Sequence, residues 1–236
     1  MHRMLPPLVK FRGVALDFIF PKWCVGCGSA GGFLCSNCRK TLPRIVPPVC
    51  PRCGRPQAEA SLCSGCIEGL VNLDGIRSPF RFENTVRQAV HRLKYDNLRA
   101  LAKPLAELLH DYVELCPVPG EVLVPVPLHR KRLRERGYNQ SGLLARELGR
   151  MMGLPVVDNC LTRERHNPPQ ARTSNVEERR QNVLDLFSCR DRRLSNKKVI
   201  LIDDVATSGA TLDSCASTLK QSGAASVWAL VLAREV

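Results

Sequence analysis

The sequence predicts an α/β fold: a parallel β-sheet flanked by helices, with a small cysteine-rich metal module in front of it. Three observations carry this. From residue 121 onward, short apolar runs alternate with helical patterns, which implies parallel strands joined by crossover helices. One of those runs, Val199-Ile200-Leu201-Ile202, is apolar throughout, as a central strand buried on both faces should be. Eight of the 12 cysteines fall within residues 24–66, all in C-x-x-C pairs.

Composition sets the bounds. The 44% apolar and 24% charged content suits a globular chain and argues against disorder. The 236 residues suffice for one core of about 150 residues and something smaller. No apolar run reaches the roughly 18 residues of a membrane span, so no membrane insertion is expected. Lys10, Arg12 and Asp17 interrupt any apolar leader, and the paired cysteines then point to a reducing, cytoplasmic setting.

Taken in order, residues 8–20 carry Leu8, Phe11, Ala15, Phe18 and Ile19 at helical spacing, ended by Pro21. The cysteine module follows, too poor in large apolar residues to bury a core without metal. Residues 73–83 read as extended, with Ile76, Phe80 and Phe82. Residues 85–95 and 98–115 read as helices, with Asn84, Asp96 and Asn97 as capping candidates. Residues 122–124 form a short strand ending at Pro125, and 141–152 a helix stopped by Gly153. Residues 155–161 are a strand candidate, and 162–182 are basic and aperiodic. The apolar strand at 199–202, a helix over 212–221 and a strand over 227–232 complete the pattern. The domains expected are an N-terminal helix (1–22), a metal module (23–72), a linking strand and helices (73–120) and an α/β domain (121–236).

The cysteine pairs are Cys24/Cys27, Cys35/Cys38, Cys50/Cys53 and Cys63/Cys66. Two intervening residues let a tight turn aim both sulfurs at one ion, and four thiolates close a tetrahedral Zn²⁺ site with no open position. Two structural zinc ions are expected. The spacing suits two ribbons in tandem but also admits interleaved pairing. Cys116, Cys160, Cys189 and Cys215 are isolated and read as core cysteines.

The formal charge is +13. Two Zn(Cys)₄ sites would lower it to about +9. The surplus is concentrated: residues 129–198 carry 17 basic and 8 acidic side chains. That suits a polyanionic ligand, a phosphorylated small molecule or a nucleic acid, as well as a solvated basic surface.

The most specific signal runs from Val199 to Leu212, through Asp203-Asp204-Val205-Ala206-Thr207-Ser208-Gly209-Ala210-Thr211. A buried strand ends in two carboxylates, and a loop of small and hydroxylic residues then opens a helix. Ligands of α/β sheets bind beyond the carboxyl ends of strands, and a helix N-terminus favours phosphate. The carboxylates can accept two hydroxyl protons of a diol. No G-x-x-x-x-G-K-[ST] is present, which excludes a P-loop NTPase.

This stretch resembles the phosphoribosyl pyrophosphate (PRPP) motif of type I phosphoribosyltransferases. The whole chain resembles the ComF/GntX family, a double zinc ribbon followed by a type I phosphoribosyltransferase-like domain. The supporting residues include Phe20-Pro21 before Cys24-Val25-Gly26-Cys27, Leu93-Lys94-Tyr95, Val124-Pro125-Val126-Pro127-Leu128-His129, Arg136-Gly137-Tyr138-Asn139-Gln140, Gln170, Arg179, Asn182 and Phe187.

The resemblance implies roles residue by residue. Asp203 and Asp204 would take the ribose of PRPP and act in catalysis. Ala206, Thr207, Ser208, Gly209, Ala210 and Thr211 would hold the 5′-phosphate. Val126, Pro127, Arg130, Lys131 and Arg132 would face the pyrophosphate, which brings Mg²⁺, although the three basic residues also read as a solvent-facing turn. Arg163, Gln170 and Arg179 would belong to a mobile loop, alternatively a basic hairpin. Tyr138 and Asn139 would serve an acceptor or a DNA base, or simply cap a helix. The family is associated with DNA uptake in natural transformation. The implied function is PRPP binding with phosphoribosyl transfer to an unidentified acceptor. Its alternatives are a non-catalytic single-stranded-DNA-binding competence factor and a PRPP-sensing regulator. Implied partners are PRPP or a nucleotide, single-stranded DNA and a competence helicase.

Overall fold

The computed structural model describes residues 22–163, 187–189 and 191–236. The helix expected over 8–20, and Gln170 and Arg179 of the mobile loop, lie outside the described residues.

The cysteine module contains two one-turn helices, α1 (Ser36–Lys40) and α2 (Ser64–Glu68). The chain then enters the sheet through β1 (Gly75–Arg77) and β2 (Phe80–Arg81). Helices α3 (Asn84–Tyr95) and α4 (Ala102–Leu115) follow, then β3 (Val122–Pro125), α5 (Arg130–Arg136) and α6 (Gln140–Met152). The antiparallel pair β4 (Leu161–Arg163) and β5 (Phe187–Cys189) precedes β6 (Lys198–Ala206), α7 (Ala210–Gln221) and β7 (Ser226–Arg234).

The sheet order is β1-β7-β6-β3, with β2 also pairing β7 farther along, and every pairing is parallel. This is the helix-flanked parallel sheet that the alternation predicts. Its central strands are apolar through their middles: Val199, Ile200, Leu201, Ile202, Ala229, Leu230 and Val231 are all completely buried. Ile200 and Ile202 pack with Leu105, Leu109, Leu144 and Leu148 of α4 and α6. Val199 and Leu201, from the opposite face, pack with Leu212, Cys215 and Leu219 of α7. A strand with both faces covered needs no polar alternation, which is why the sequence signal was so plain.

The stretch 155–161 is corrected. Only Val156 bridges the sheet, to Leu123, while Leu161 leaves it to start the β4–β5 pair. The capping candidates fare differently from expectation too. Asn84 is the first residue of α3 at φ 45°, after the N-cap Glu83, and Asn97 sits at φ 54° in the turn before Arg99. Neither side chain caps a helix N-terminus.

The cysteine module docks on the β1/β2 edge. Ile45 N–H donates to Pro79 O, Arg81 N–H to Pro43 O and Ile76 N–H to Arg52 O. Arg39 pairs with Glu107 of α4. An edge strand otherwise leaves backbone groups unpaired, so the module satisfies the sheet as the sheet supports the module. Among the described residues no helix is long and apolar enough to cross a membrane.

Candidate functional site

The sulfurs fall into two groups, Cys24/Cys27/Cys35/Cys38 and Cys50/Cys53/Cys63/Cys66, each with all four Sγ atoms within 4.8 Å of one another. The pairing is therefore tandem, the question the spacing left open. Cys27 and Cys35, and Cys53 and Cys63, stand 3.6 Å apart, against about 3.8 Å for two sulfurs on a tetrahedral zinc with 2.3 Å bonds. None is in a disulfide. Burial disfavours the Cys24 thiolate, but backbone N–H groups of Cys35, Cys27 and Gly26 outweigh it and bring that thiol down to about 6. Cys50 falls to about 6 for the same reason, against burial, through the backbone of Cys53, Cys63 and Arg52. Burial first, and the neighbouring sulfurs, push Cys38 up to about 12 and raise Cys66, and burial raises Cys53, so each group holds four thiolates only with a cation among them. The residues fit two structural zinc ions.

At the carboxyl end of β6 the chain turns through Thr207, Ser208 and Gly209 into α7. Gly209 is the N-cap at φ 87°, a left-handed conformation open to glycine at no steric cost. Ala210 N–H donates to Ser208 Oγ at 3.3 Å. Thr207, Ser208, Ala210 and Thr211 are exposed, whereas Ala206 and Gly209 are buried. Beyond the Ala210 N–H, the loop thus presents hydroxyls and helix N–H groups at the carboxyl end of the sheet, where ligands bind.

The two acids part company. Strand β6 runs through both, so their side chains leave opposite faces of the sheet. Asp203 accepts a 2.7 Å hydrogen bond from Ser141 Oγ and a 2.9 Å bond from the Asp204 N–H. It is densely surrounded, though partly exposed. Burial first, and the charge of Asp204 second, push its carboxyl up to about 7. Asp204 is buried, with Lys94 Nζ 2.8 Å from its Oδ2. That contact is an ion pair without good hydrogen-bond alignment, since among the described residues Oδ2 has no regular hydrogen-bond donor.

The basic residues are also divided. Arg130, Lys131 and Arg132 form the exposed first turn of α5, with His129 Nδ1 capping by accepting from Lys131 N–H at 3.2 Å. Val126 is buried and Pro127 half-buried at the end of β3. Arg130 borders a polar cavity of about 740 Å³ with Asn159, Thr162 and Arg192. Arg132 borders another, of about 450 Å³, with Lys94, Tyr95 and Arg136. Arg163 stacks over Phe187 and lies within electrostatic reach of Arg132 and Asp203.

Tyr138 is buried and its hydroxyl donates to Leu93 O, while Asn139 caps α6 by accepting from Ser141 N–H and donating to Val126 O. These are the helix-capping roles. Cys160 and Cys215 are buried thiols, but Cys116 is exposed at the end of α4 and is no core residue. Sequence reasoning passed over three residues that shape the site. Lys94 stands in the Leu93-Lys94-Tyr95 stretch, which by itself signals no partner. Ser141 shows in the sequence only as the start of a helix. Asp213, in the first turn of α7, accepts from Asn72 N–H, Asn72 Nδ2 and Leu73 N–H. An acid in a first turn suits the helix dipole, but nothing local foretold those partners.

A family described as a double zinc ribbon domain matches residues 15–67. Competence protein F of Haemophilus influenzae is 30% identical over 210 residues, 85% of this chain and 90% of that protein. Competence protein ComFC of Bacillus subtilis is 29% identical over 215 residues, 85% of this chain and 84% of that protein. DNA utilization protein YhgH of Salmonella typhi is 30% identical over 208 residues, 85% and 90% of the two chains. Among solved structures, the glutamine PRPP amidotransferase from B. subtilis complexed with ADP and GMP is 20% identical at a TM-score of 0.40. That alignment takes in 56% of this chain, and the chain spans about a quarter (26%) of the amidotransferase.

Proposed function

The chain belongs to the ComF/GntX family, the family of competence protein F, and on that premise we propose that it binds PRPP or a related phosphoribosyl ligand at the carboxyl end of β6. The observation that carries this reading is the loop from Thr207 to Thr211. Exposed hydroxyls and free N–H groups gather there at the start of a twelve-residue helix, directly after two carboxylates. The phosphate lies on the loop N–H groups and the hydroxyls of Thr207, Ser208 and Thr211. A ribose diol donates to Asp203, the partly exposed acid, while Asp204 stays paired with Lys94 unless the ligand draws it away. The pyrophosphate points toward Val126, Pro127 and the first turn of α5, where Arg130, Lys131 and Arg132 offset its charge. Mg²⁺ would come in on the pyrophosphate and neutralise part of it.

In this reading residues 73–120, whose strands β1 and β2 join the sheet through β7, help to cover the ligand end of the 121–236 domain, and the basic segment handles single-stranded DNA in the cytoplasm. Aromatic residues are only 5% of the chain, so DNA contact would rest on phosphates rather than on stacking. The names of the relatives, competence and DNA utilization proteins, favour that second activity.

Isothermal titration with PRPP and Mg²⁺, followed by a pyrophosphate-release screen across nitrogenous bases, tests the proposal. Saturable binding is expected. Release with one acceptor makes the protein a phosphoribosyltransferase. Binding without release makes it a scaffold or sensor, and no binding overturns the proposal.

A further inference from the structure

Arg234, at the end of β7, is 1% exposed and heads the fully buried side chains by volume. Two of its guanidinium nitrogens, Nε and Nη1, have no hydrogen-bond partner among the described residues. A guanidinium stays charged at any ordinary pH. Burying it without a counter-charge carries the full desolvation penalty of an unpaired interior ion. The fold therefore needs an anion at this place.

Ala206, the register partner of Arg234, lies in one buried cluster with Cys50, Cys53 and Cys66, and the sulfurs of Cys53, Cys66 and Cys63 are the opposite charges that act on Arg234, while Arg55 repels it. Four neutral thiols would leave the guanidinium unmatched. Four thiolates on one Zn²⁺ carry a net charge of −2 and would match it. We propose that Arg234 is the buried counter-ion of the second zinc site, Cys50/Cys53/Cys63/Cys66, and locks that ribbon to the sheet beside the loop of residues 206–213.

The two zinc sites differ in the way this requires. In the first, Cys27 is exposed and Cys35 and Cys38 are half-buried, so water screens the charge of the site. In the second, Cys50, Cys53 and Cys66 are buried, and the charge must be met from within the protein.

The connection to the loop is short. Arg234 is the register partner of Ala206, the residue before Thr207, and the Glu235 N–H donates to Ala206 O. Just after the second ribbon, Leu70 and Ile76 pack so closely on Gly209 that an added Cβ would sit 3.3 and 3.1 Å from them. Asn72 and Leu73 hold Asp213. Releasing the ribbon from Arg234 removes one wall of the loop. The proposal needs no ligand, so it stands apart from the PRPP reading.

The test uses the full-length zinc-loaded protein. Zinc release to a chromogenic chelator is timed, the cysteines freed first are mapped by alkylation and mass spectrometry, and amide exchange is followed over 206–213. In Arg234→Met, one zinc should leave at least about tenfold faster, the size of effect usual for lost outer partners of a metal site. The cysteines freed should be Cys50, Cys53, Cys63 and Cys66, exchange over 206–213 should rise, and the other zinc should keep its rate. Arg234→Lys should restore slow release, because it keeps the charge. A folded Arg234→Met protein that releases both ions at wild-type rates, or both equally faster, overturns the proposal. Should Arg234→Met not fold, Arg234→Lys decides: two slowly released ions support the counter-ion, and rapid loss of the second ion refutes it.

Discussion

Lys94 of α3 meets Asp204 of β6 with 2.8 Å between Nζ and Oδ2, and Asp204 is buried. The second acid of the pair is thus matched by a cation of the protein before any ligand arrives. Asp203, on the opposite face, has a hydroxyl instead, from Ser141. Consecutive carboxylates in one strand end up in different electrostatic surroundings, and several predictions about them differ accordingly.

Lys94→Met leaves Asp204 buried without its cation. Breaking a buried pair from one side typically costs about 3–5 kcal/mol. Lys94 keeps some exposure, so we expect the lower end of that range. Lys94→Met/Asp204→Asn should cost clearly less than the sum of the two single variants. A double-mutant cycle on urea midpoints measures this, and strict additivity would show that the pair does not interact.

Asp203 should reveal itself through pH. Its carboxyl is pushed up to about 7 by burial and by Asp204, while an unfolded aspartate titrates near 3.9. Between about pH 4 and pH 7 the folded chain holds a proton that the unfolded chain has lost. Stability from this group is complete below about pH 4 and is lost as pH rises through about 7. Asp203→Asn cannot ionise, so its stability relative to wild type should climb across that window and level off above it. Thermal midpoints of both proteins across the window check the sign, and parallel curves would refute the assignment.

Asp203→Asn together with Asp204→Asn should abolish PRPP binding with the fold retained, because amides are poorer acceptors for a diol than carboxylates. Titration calorimetry, with circular dichroism as the fold control, is the measurement. Unchanged affinity in a folded double variant would mean that the acids do not hold the ribose.

Zinc analysis of the purified protein should find about two ions per chain, one for each group of four sulfurs. Chelation should unfold the cysteine module, which has little apolar core of its own. A single ion per chain would refute the two-site arrangement.

For DNA, affinity for single strands should fall steeply with salt and depend little on sequence. Each phosphate contact contributes roughly −0.7 to the slope of log K against log salt. Arg130→Ala, Lys131→Ala and Arg132→Ala together should flatten the slope by about 2 if all three touch phosphates. Arg130 and Arg132 border different cavities, so competition by PRPP should be strongest for DNA that crosses both. An unchanged slope in the triple variant would remove α5 from the DNA path.

What the sequence determined by itself was local chemistry. Two-residue spacing between cysteines is enough to name eight metal ligands, because a tight turn sets both sulfurs. A fully apolar run followed by acids, small residues and hydroxyls is enough to name a strand, a loop and a helix start, because each step has a short-range cause. Only the tertiary structure decided which cysteine pairs share an ion, that Lys94 faces Asp204, and that Asp213 is held by Asn72, 141 residues away in the chain. It also decided that the stretch after Gly153 meets the sheet through a single bridge, Val156 to Leu123, and that Arg234 is buried with two nitrogens unpartnered among the described residues. Those relationships arise from the order β1-β7-β6-β3, which sets β1 and the cysteine module docked on it beside β7, the last strand, with β3 at the far edge. Spacing along a chain carries the geometry of a turn, but the counter-charge of a buried ion is set by whichever strand the sheet places beside it.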